Sequence, residues 1–132
     1  MAVRILVVDD NASIREAYRA VLDRSPEFQV VGEAEDGDEV LVSVKAMRPD
    51  LVLMDVEMKR VGGLVATRLV SEASPGHPKI LMSSLHGDHH LIAEAFREGA
   101  RGYMLKTKAA TELIPALRRV MHGELYVSPP RE

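Results

Sequence analysis

Five side chains able to take part in phosphoryl transfer lie at or just after the ends of apolar runs in the 132-residue sequence. They are two adjacent acids, a third acid, a serine and a lysine: Asp9, Asp10, Asp55, Ser84 and Lys106. Carboxylates brought together repel one another unless a cation neutralises them, and a cluster of oxygen ligands suits Mg²⁺ or Mn²⁺. A serine hydroxyl and a lysine ammonium can both bind a phosphoryl group. Together these groups describe a metal-dependent phosphoryl-transfer site.

Asp55 is the acid best suited to act as the nucleophile. An aspartate is ionised at neutral pH, since its ordinary pKa is about 4. It can therefore attack phosphorus without a general base. The adjacent pair Asp9 and Asp10 can then hold the metal ion.

These residues can form one site only if the strands and helices that carry them bring them together. Along the chain, strand-like runs alternate with helical patterns. The predicted strands are residues 3–8, 28–34, 51–54, 79–84 and 101–105. Five strand–helix units with short connections predict an α/β fold, the flavodoxin-like (βα)5 three-layer sandwich, with a parallel five-stranded sheet in the common order 2-1-3-4-5. Ligands of such sheets bind at the carboxyl ends of the strands, so we expect the five polar side chains at one edge.

Composition narrows the classes of function. The net charge of -3 provides no basic face, so we expect no direct nucleic-acid contact from this segment. The absence of cysteine excludes disulfides and thiol chemistry. No apolar run has the length of a membrane span or of a signal-peptide core, so we expect a cytoplasmic protein without membrane contact.

The site residues and several longer motifs resemble the receiver domain of two-component response regulators, from about residue 3 to residue 122. The motifs are GEAEDGDE (32–39), RPDLVLMD (48–55), GGLVATR (62–68) and EGARGYMLK (98–106). The resemblance implies that Asp55 accepts a phosphoryl group from a histidine kinase in a Mg²⁺-dependent reaction. It also implies a switch that receives phosphate and can lose it by itself, not a turnover enzyme.

The resemblance assigns further roles. It implies that Tyr103 is the aromatic switch residue, acting with Ser84, and that the backbone carbonyl of Glu57 is an additional metal ligand. In receivers, the second residue after the phosphoacceptor and the second after the hydroxyl flank the approach of water. Here these are Glu57 and His86, so we expect the two to set the lifetime of the phosphorylated state.

The tail GELYVSP and two of the motifs are most similar to the NarL/FixJ-type regulators, which carry a LuxR-type helix-turn-helix after a linker. The implied division is a receiver domain over residues 1–122 and the start of an interdomain linker over residues 123–132, with the DNA-binding domain absent from this chain. We expect transcription regulation and DNA contact only through that missing domain, and a homodimer on activation. Helices one and five and the helix-four face both remain possible dimer surfaces.

Two other classes of function share parts of this sequence pattern. Lys59 and Thr107 stand where the family usually has proline, so a degenerate receiver that binds partners without phosphorylation remains the alternative. An enzyme of similar topology is rejected. The turn DDNAS after the first strand lacks the glycines of a dinucleotide binder, and the first strand does not end in the DxD spacing of aspartyl-phosphate hydrolases.

Three local features carry structural expectations. Pro115 should delay or bend the last helix. Lys59, Arg60 and Gly62 should make the loop after Asp55 basic and flexible. The histidines of HGDHH (86–90) have a spacing that zinc ligands can use, but a helix start capped by Asp88 is the preferred interpretation.

Overall fold

Strands and helices alternate along residues 1–128, the part of the chain that the computed structural model describes. The strands are β1 (Val3–Val8), β2 (Phe28–Ala34), β3 (Leu51–Asp55), β4 (Lys79–Ser84), β5 (Gly102–Leu105) and β6 (Tyr126–Val127). The helices are α1 (Ala12–Leu22), α2 (Val40–Met47), α3 (Gly63–Ala73), α4 (His89–Glu98) and α5 (Ala109–Met121). Short 3₁₀ turns precede α2 and α5, at Gly37–Glu39 and Lys106–Lys108.

The strands form one parallel sheet in the order β2-β1-β3-β4-β5-β6. The predicted flavodoxin-like class and the order 2-1-3-4-5 are confirmed. The sixth strand was not predicted, because two residues are too few to show a periodic pattern. It lies within the segment 123–132 that we expected to begin a linker. That expectation remains a prediction, since residues 129–132 lie outside the described part of the chain.

The core lies in two layers, one on each face of the sheet. Side chains of α1 and α5 pack on one face, and those of α2, α3 and α4 on the other. Every residue of β3 is buried, which explains why this strand is a continuous apolar run with no polar alternation. Among residues 1–128, no helix has the length and hydropathy needed to cross a bilayer.

The helix ends follow local sequence signals. Asn11 caps α1, where its side-chain oxygen accepts hydrogen bonds from the amides of Ser13 (2.9 Å) and Ile14 (3.2 Å). Helix α4 ends at Gly99, whose φ of 117° favours glycine. Asp88 occupies the N-cap of α4, as expected, but its side chain makes no capping hydrogen bond.

Helix α5 begins at Ala109 and continues through Pro115, so the expectation of a late start is wrong. Thr107 stands where the family usually has proline, and the peptide bond that joins it to Lys106 is trans. The one cis bond within residues 1–128 joins His77 to Pro78.

The loop between β3 and α3 is anchored to the loop after β2. The buried carboxylate of Asp36 accepts hydrogen bonds from the amides of Arg60 (2.9 Å) and Val61 (2.7 Å). The Arg60 guanidinium also pairs with Asp38 (2.7 Å) and Glu39 (3.2 Å). The loop is therefore less basic than expected, and its backbone is held at two positions.

Candidate functional site

The predicted site residues lie at the carboxyl ends of neighbouring strands. Asp55 and Ser84 are the last residues of β3 and β4, while Asp9 and Lys106 directly follow β1 and β5. Asp9, Asp55 and Lys106 border a cleft with a volume of about 400 Å³, whereas Ser84 is not part of its lining. Its lining includes six of the predicted residues: Asp9, Asp10, Asp55, Glu57, His86 and Lys106. The parallel sheet thus brings together acids that are far apart in the sequence.

The Lys106 ammonium bridges two buried carboxylates. Its Nζ lies 2.8 Å from Oδ2 of Asp9 and 3.0 Å from Oδ1 of Asp55. The side chains of Asp9 and Asp55 are 0% and 4% exposed, and that of Lys106 is 11% exposed. Ion pairs removed from water to this degree are only weakly screened by salt.

Burial raises the pKa of the Asp55 carboxyl to about 6, and the negative charge of Asp9 adds to the rise. The Lys106 ammonium and a hydrogen bond from the Glu57 amide (3.2 Å) oppose it. Burial alone would lower the pKa of Lys106, but its contacts with Asp9 and Asp55 outweigh burial and raise it. The lysine is therefore positively charged at neutral pH, and the pair of acids holds more negative charge than one ammonium neutralises.

The three acids fit a hard divalent cation. Asp9, Asp10 and Asp55 each offer an oxygen, and these atoms lie within 4.8 Å of one another. Oδ2 of Asp9 is buried against the Lys106 ammonium at 2.8 Å, and no further group within residues 1–128 donates a hydrogen bond to it. Such an under-satisfied carboxylate, beside the exposed Asp10, is suited to Mg²⁺ or Mn²⁺. The role of the Glu57 carbonyl as a ligand stays a prediction.

The side chains of Ser84 and Tyr103 lie on the face of the sheet that packs against α2, α3 and α4. The Tyr103 side chain is 1% exposed and packs in the core below α3 and α4. Its hydroxyl donates to the backbone oxygen of His86 (2.5 Å), and the Ser84 hydroxyl accepts from the His86 amide (3.0 Å). Burial raises the pKa of Tyr103, and the Ser84 hydroxyl opposes the rise. Both side chains therefore hold the same loop between β4 and α4.

Glu57 and His86 meet across the mouth of the cleft. Oε1 of Glu57 lies 3.2 Å from Nε2 of His86, and both side chains are more than half exposed. Within residues 1–128, the cluster of three or more potential metal ligands is that of the aspartates, so the histidines near α4 provide no support for a zinc site.

A pair of hydroxyl groups beneath the cluster was missed by sequence reasoning. The Tyr18 hydroxyl and the Ser83 hydroxyl are hydrogen-bonded to each other, and both residues are buried. Burial raises the pKa of Tyr18, and the charges of Lys106, Asp9 and Asp55 act on it. Strand alternation could have indicated Ser83, because it is the register partner of Asp55 in the neighbouring strand. For Tyr18, the sequence indicates only a core position, because the residue follows the helical spacing of the apolar side chains of the first helix.

Comparisons with known proteins agree with this geometry. Residues 5–118 match the family described as the response regulator receiver domain. The chain is 36% identical to the transcriptional regulatory protein DegU of Brevibacillus brevis, over 96% of this chain and 53% of that protein. It spans a little more than half the length of the curated relatives it matches.

Two solved structures are close in fold. A LuxR-family two-component response regulator from Aurantimonas sp. SI85-9A1 superposes with a TM-score of 0.92 at 34% identity, covering 98% of this chain and 91% of that one. The receiver domain of the putative response regulator NarL from Mycobacterium tuberculosis has a TM-score of 0.86 at 32% identity, covering 93% and 98%.

Proposed function

The chain belongs to the response regulator receiver domain family, and from this premise we propose that Asp55 accepts a phosphoryl group from a histidine kinase. The observation that carries the proposal is the Lys106 ammonium, which lies 3.0 Å from Asp55 inside a cleft lined by two further acids. A carboxylate that is buried, paired with a cation and open to a cleft is placed to attack an incoming phosphorus atom.

In the proposed reaction, an Asp55 oxygen forms a bond to phosphorus as the bond from phosphorus to the histidine nitrogen breaks. The product is an acyl phosphate, and histidine leaves as a neutral imidazole because the second ring nitrogen of the phosphohistidine carries a proton. Lys106 exchanges its contact with the Asp55 carboxylate for one with a phosphoryl oxygen. Asp9 and Asp10 would hold the metal ion, which when bound supplies positive charge to the transferring phosphoryl group. The domain is then a switch and not a turnover enzyme.

Ser84 and Tyr103 are the residues through which we propose that phosphorylation reaches the surface. The Ser84 hydroxyl must turn toward the phosphoryl group, and its hydrogen bond to the His86 amide would then be exchanged for a new one. Tyr103 is already buried and bound to the His86 carbonyl, so any change in the loop between β4 and α4 also changes its partner. Two new charge-assisted contacts of about 1.5 to 3 kcal/mol each approach the roughly 5.5 kcal/mol needed to move a switch from 1:99 to 99:1.

Incubation of the chain with acetyl phosphate and Mg²⁺ tests the proposal. We expect the intact mass to rise by one phosphoryl group and peptide mapping to place that group on Asp55. A chelator should prevent the gain. No gain in mass under conditions that label a known receiver would instead favour the degenerate receiver, whose surface acts without phosphorylation.

Mg²⁺ should stabilise the folded chain, because its charge relieves the repulsion among Asp9, Asp10 and Asp55. A ligand at a hundred times its dissociation constant adds about 2.7 kcal/mol to the free energy of unfolding. Urea unfolding with and without Mg²⁺ measures the effect. Asp10→Asn should reduce the gain, whereas Asp23→Asn, at the end of α1 and exposed, should leave it unchanged. An equal gain in both variants would contradict binding at this cluster.

We also propose that Glu57 and His86 set the lifetime of the phosphorylated state, because their contact lies across the path by which water would enter. His86→Ala should shorten the lifetime about twofold to fivefold, since a solvent-exposed polar contact of this kind is worth up to about 1 kcal/mol. Loss of the label is followed by intact mass after the phosphodonor is removed. His89→Ala, an exposed histidine at the start of α4, is the matched control. An unchanged lifetime in His86→Ala would refute this role.

The remaining parts of the proposal concern a longer protein. The similarity to transcriptional regulators supports a DNA-binding domain beyond the proposed linker over residues 123–132, with DNA contact made by that domain and not by this segment. A histidine kinase is the proposed partner, and we propose a homodimer on activation and a location in the cytoplasm.

A further inference from the structure

The last described residues of the chain, Tyr126–Ser128 (here the tail segment), are bonded along the outer edge of β5. The Tyr126 amide donates to the Arg101 oxygen (3.1 Å), and the Ser128 amide donates to the Tyr103 oxygen (3.0 Å). The Leu105 amide in turn donates to the Ser128 hydroxyl (2.9 Å). The tail segment therefore holds β5 at its beginning, middle and end.

Glu112 fixes the tail segment to helix α5. Its Oε1 accepts hydrogen bonds from the Ser128 hydroxyl (2.6 Å) and from the Tyr126 hydroxyl (2.7 Å). Tyr126 and Ser128 are 7% and 9% exposed, so these bonds are largely shielded from water. Burial, together with Glu112, raises the pKa of Tyr126 to about 12, so this hydroxyl keeps its proton. The Ser128 hydroxyl thus donates to α5 and accepts from β5 at the same time.

The end of β5 that Ser128 holds is the point from which Lys106 reaches the acids. Leu105 directly precedes Lys106 and is the last residue of β5 in register with Ser84 of β4. Alternate residues of a strand direct their backbone groups to opposite neighbours, so the Leu105 amide points to the tail segment and away from β4. Removing the Ser128 hydroxyl therefore removes the protein acceptor of the Met104–Leu105 peptide, one peptide unit before Lys106.

We propose that Ser128, held by Glu112, is a positioning residue for Lys106 in phosphoryl transfer to Asp55. This inference rests on the function proposed above. The route is short: Glu112 orients the Ser128 hydroxyl, and that hydroxyl holds the amide of Leu105, the residue from which the chain continues into Lys106. Lys106 must keep its ammonium within about 3 Å of both Asp9 and Asp55, so a shift of the backbone at Leu105 misplaces the charge.

The coupling also acts in reverse. If the bound tail segment also stabilises the phosphorylated state, phosphorylation must stabilise the bound tail segment by the same free energy. The tail segment would then report the state of Asp55 to whatever follows it in the chain. Amide exchange at Leu105 and Ser128 should slow on phosphorylation.

The test compares three variants of the full 132-residue chain: Ser128→Ala, Ser128→Thr and Val127→Ser. Ser128→Ala should slow labelling of Asp55 by acetyl phosphate about threefold to tenfold, the effect of losing one hydrogen bond. Ser128→Thr keeps a hydroxyl and should restore most of the rate. Val127→Ser changes an exposed side chain of the same tail segment and should leave the rate unchanged. The ¹⁵N signal of Lys106 Nζ should shift in Ser128→Ala alone, already before phosphorylation.

Two results would overturn the inference. One is a Ser128→Ala variant with an unchanged Lys106 signal. The other is an equal loss of rate in Val127→Ser, which would indicate that any weakening of the sheet edge has the same effect. If even the unaltered chain is never labelled, the proposed function fails. The Lys106 signal of the unphosphorylated variants still decides whether Ser128 positions the lysine.

Discussion

Asp55→Asn should abolish phosphoryl incorporation and at the same time make the folded chain more stable. Asparagine cannot form the acyl phosphate, so intact mass should show no gain with acetyl phosphate and Mg²⁺. The increase in stability follows from the Asp55 pKa, which burial and the charge of Asp9 raise to about 6. A rise of two units over the ordinary value corresponds to about 3 kcal/mol, which is the upper limit of the gain at pH 7.

The pH dependence of the stability difference distinguishes the loss of the Asp55 charge from a general effect of the substitution. The folded pKa of Asp55 lies above its unfolded value, so ionisation penalises the folded state above pH 6, and the penalty disappears below about pH 4. The stability difference between Asp55→Asn and the unaltered chain, measured by urea unfolding with a chelator present, should therefore shrink as the pH falls from 7 to 4. A stability difference that stays constant over this range would contradict the ionisation of Asp55 as its cause. Asp23→Asn, with its exposed side chain, serves as the control.

Lys106→Ala should have the opposite effect on stability. It removes the ammonium that lies between the buried carboxylates of Asp9 and Asp55. Breaking a buried ion pair by deleting one partner costs about 3 to 5 kcal/mol, because the remaining charge is left uncompensated. Labelling of Asp55 should also slow by about a hundredfold, as when an enzyme loses one group that stabilises charge in the transition state.

Urea unfolding of Lys106→Ala without metal measures the loss of stability, and addition of Mg²⁺ should restore part of it. Acidification should also stabilise this variant relative to pH 7, since protonating either carboxyl ends the repulsion. Lys45→Ala is the matched control, because Lys45 is exposed on α2, away from the cleft. A Lys106→Ala variant as stable as the unaltered chain would show that the two ion pairs contribute nothing.

The elements that carry the site could be predicted because their signals are local. Residues 51–54 are apolar without alternation, which is the pattern of a strand buried on both faces, and β3 is such a strand. From the parallel sheet it followed that Asp9, Asp55 and Lys106 meet at one edge. The position of the ammonium between the two acids could not be derived, because it depends on side-chain geometry across three strands.

The features that were missed depend on contacts distant in sequence. Tyr18 and Ser83 are 65 residues apart, and neither signals its hydroxyl partner. The loop after Asp55 was expected to be basic and flexible, yet it is held by Asp36, whose partners lie 24 and 25 residues away. Long-range pairs of this kind leave no periodic trace in a single sequence.

The sixth strand also determines how the sheet can meet other chains. An uncovered β5 would expose a row of unpaired backbone groups, which is a template for pairing with another protein and for aggregation. The two residues of β6 occupy that row, and the sequence continues with Pro129 and Pro130, which have no amide hydrogen to donate. A second copy therefore cannot pair directly with the backbone of β5, and the strand at the other edge of the sheet is β2. The short tail strand thus protects the β5 edge of the folded domain against pairing with another chain.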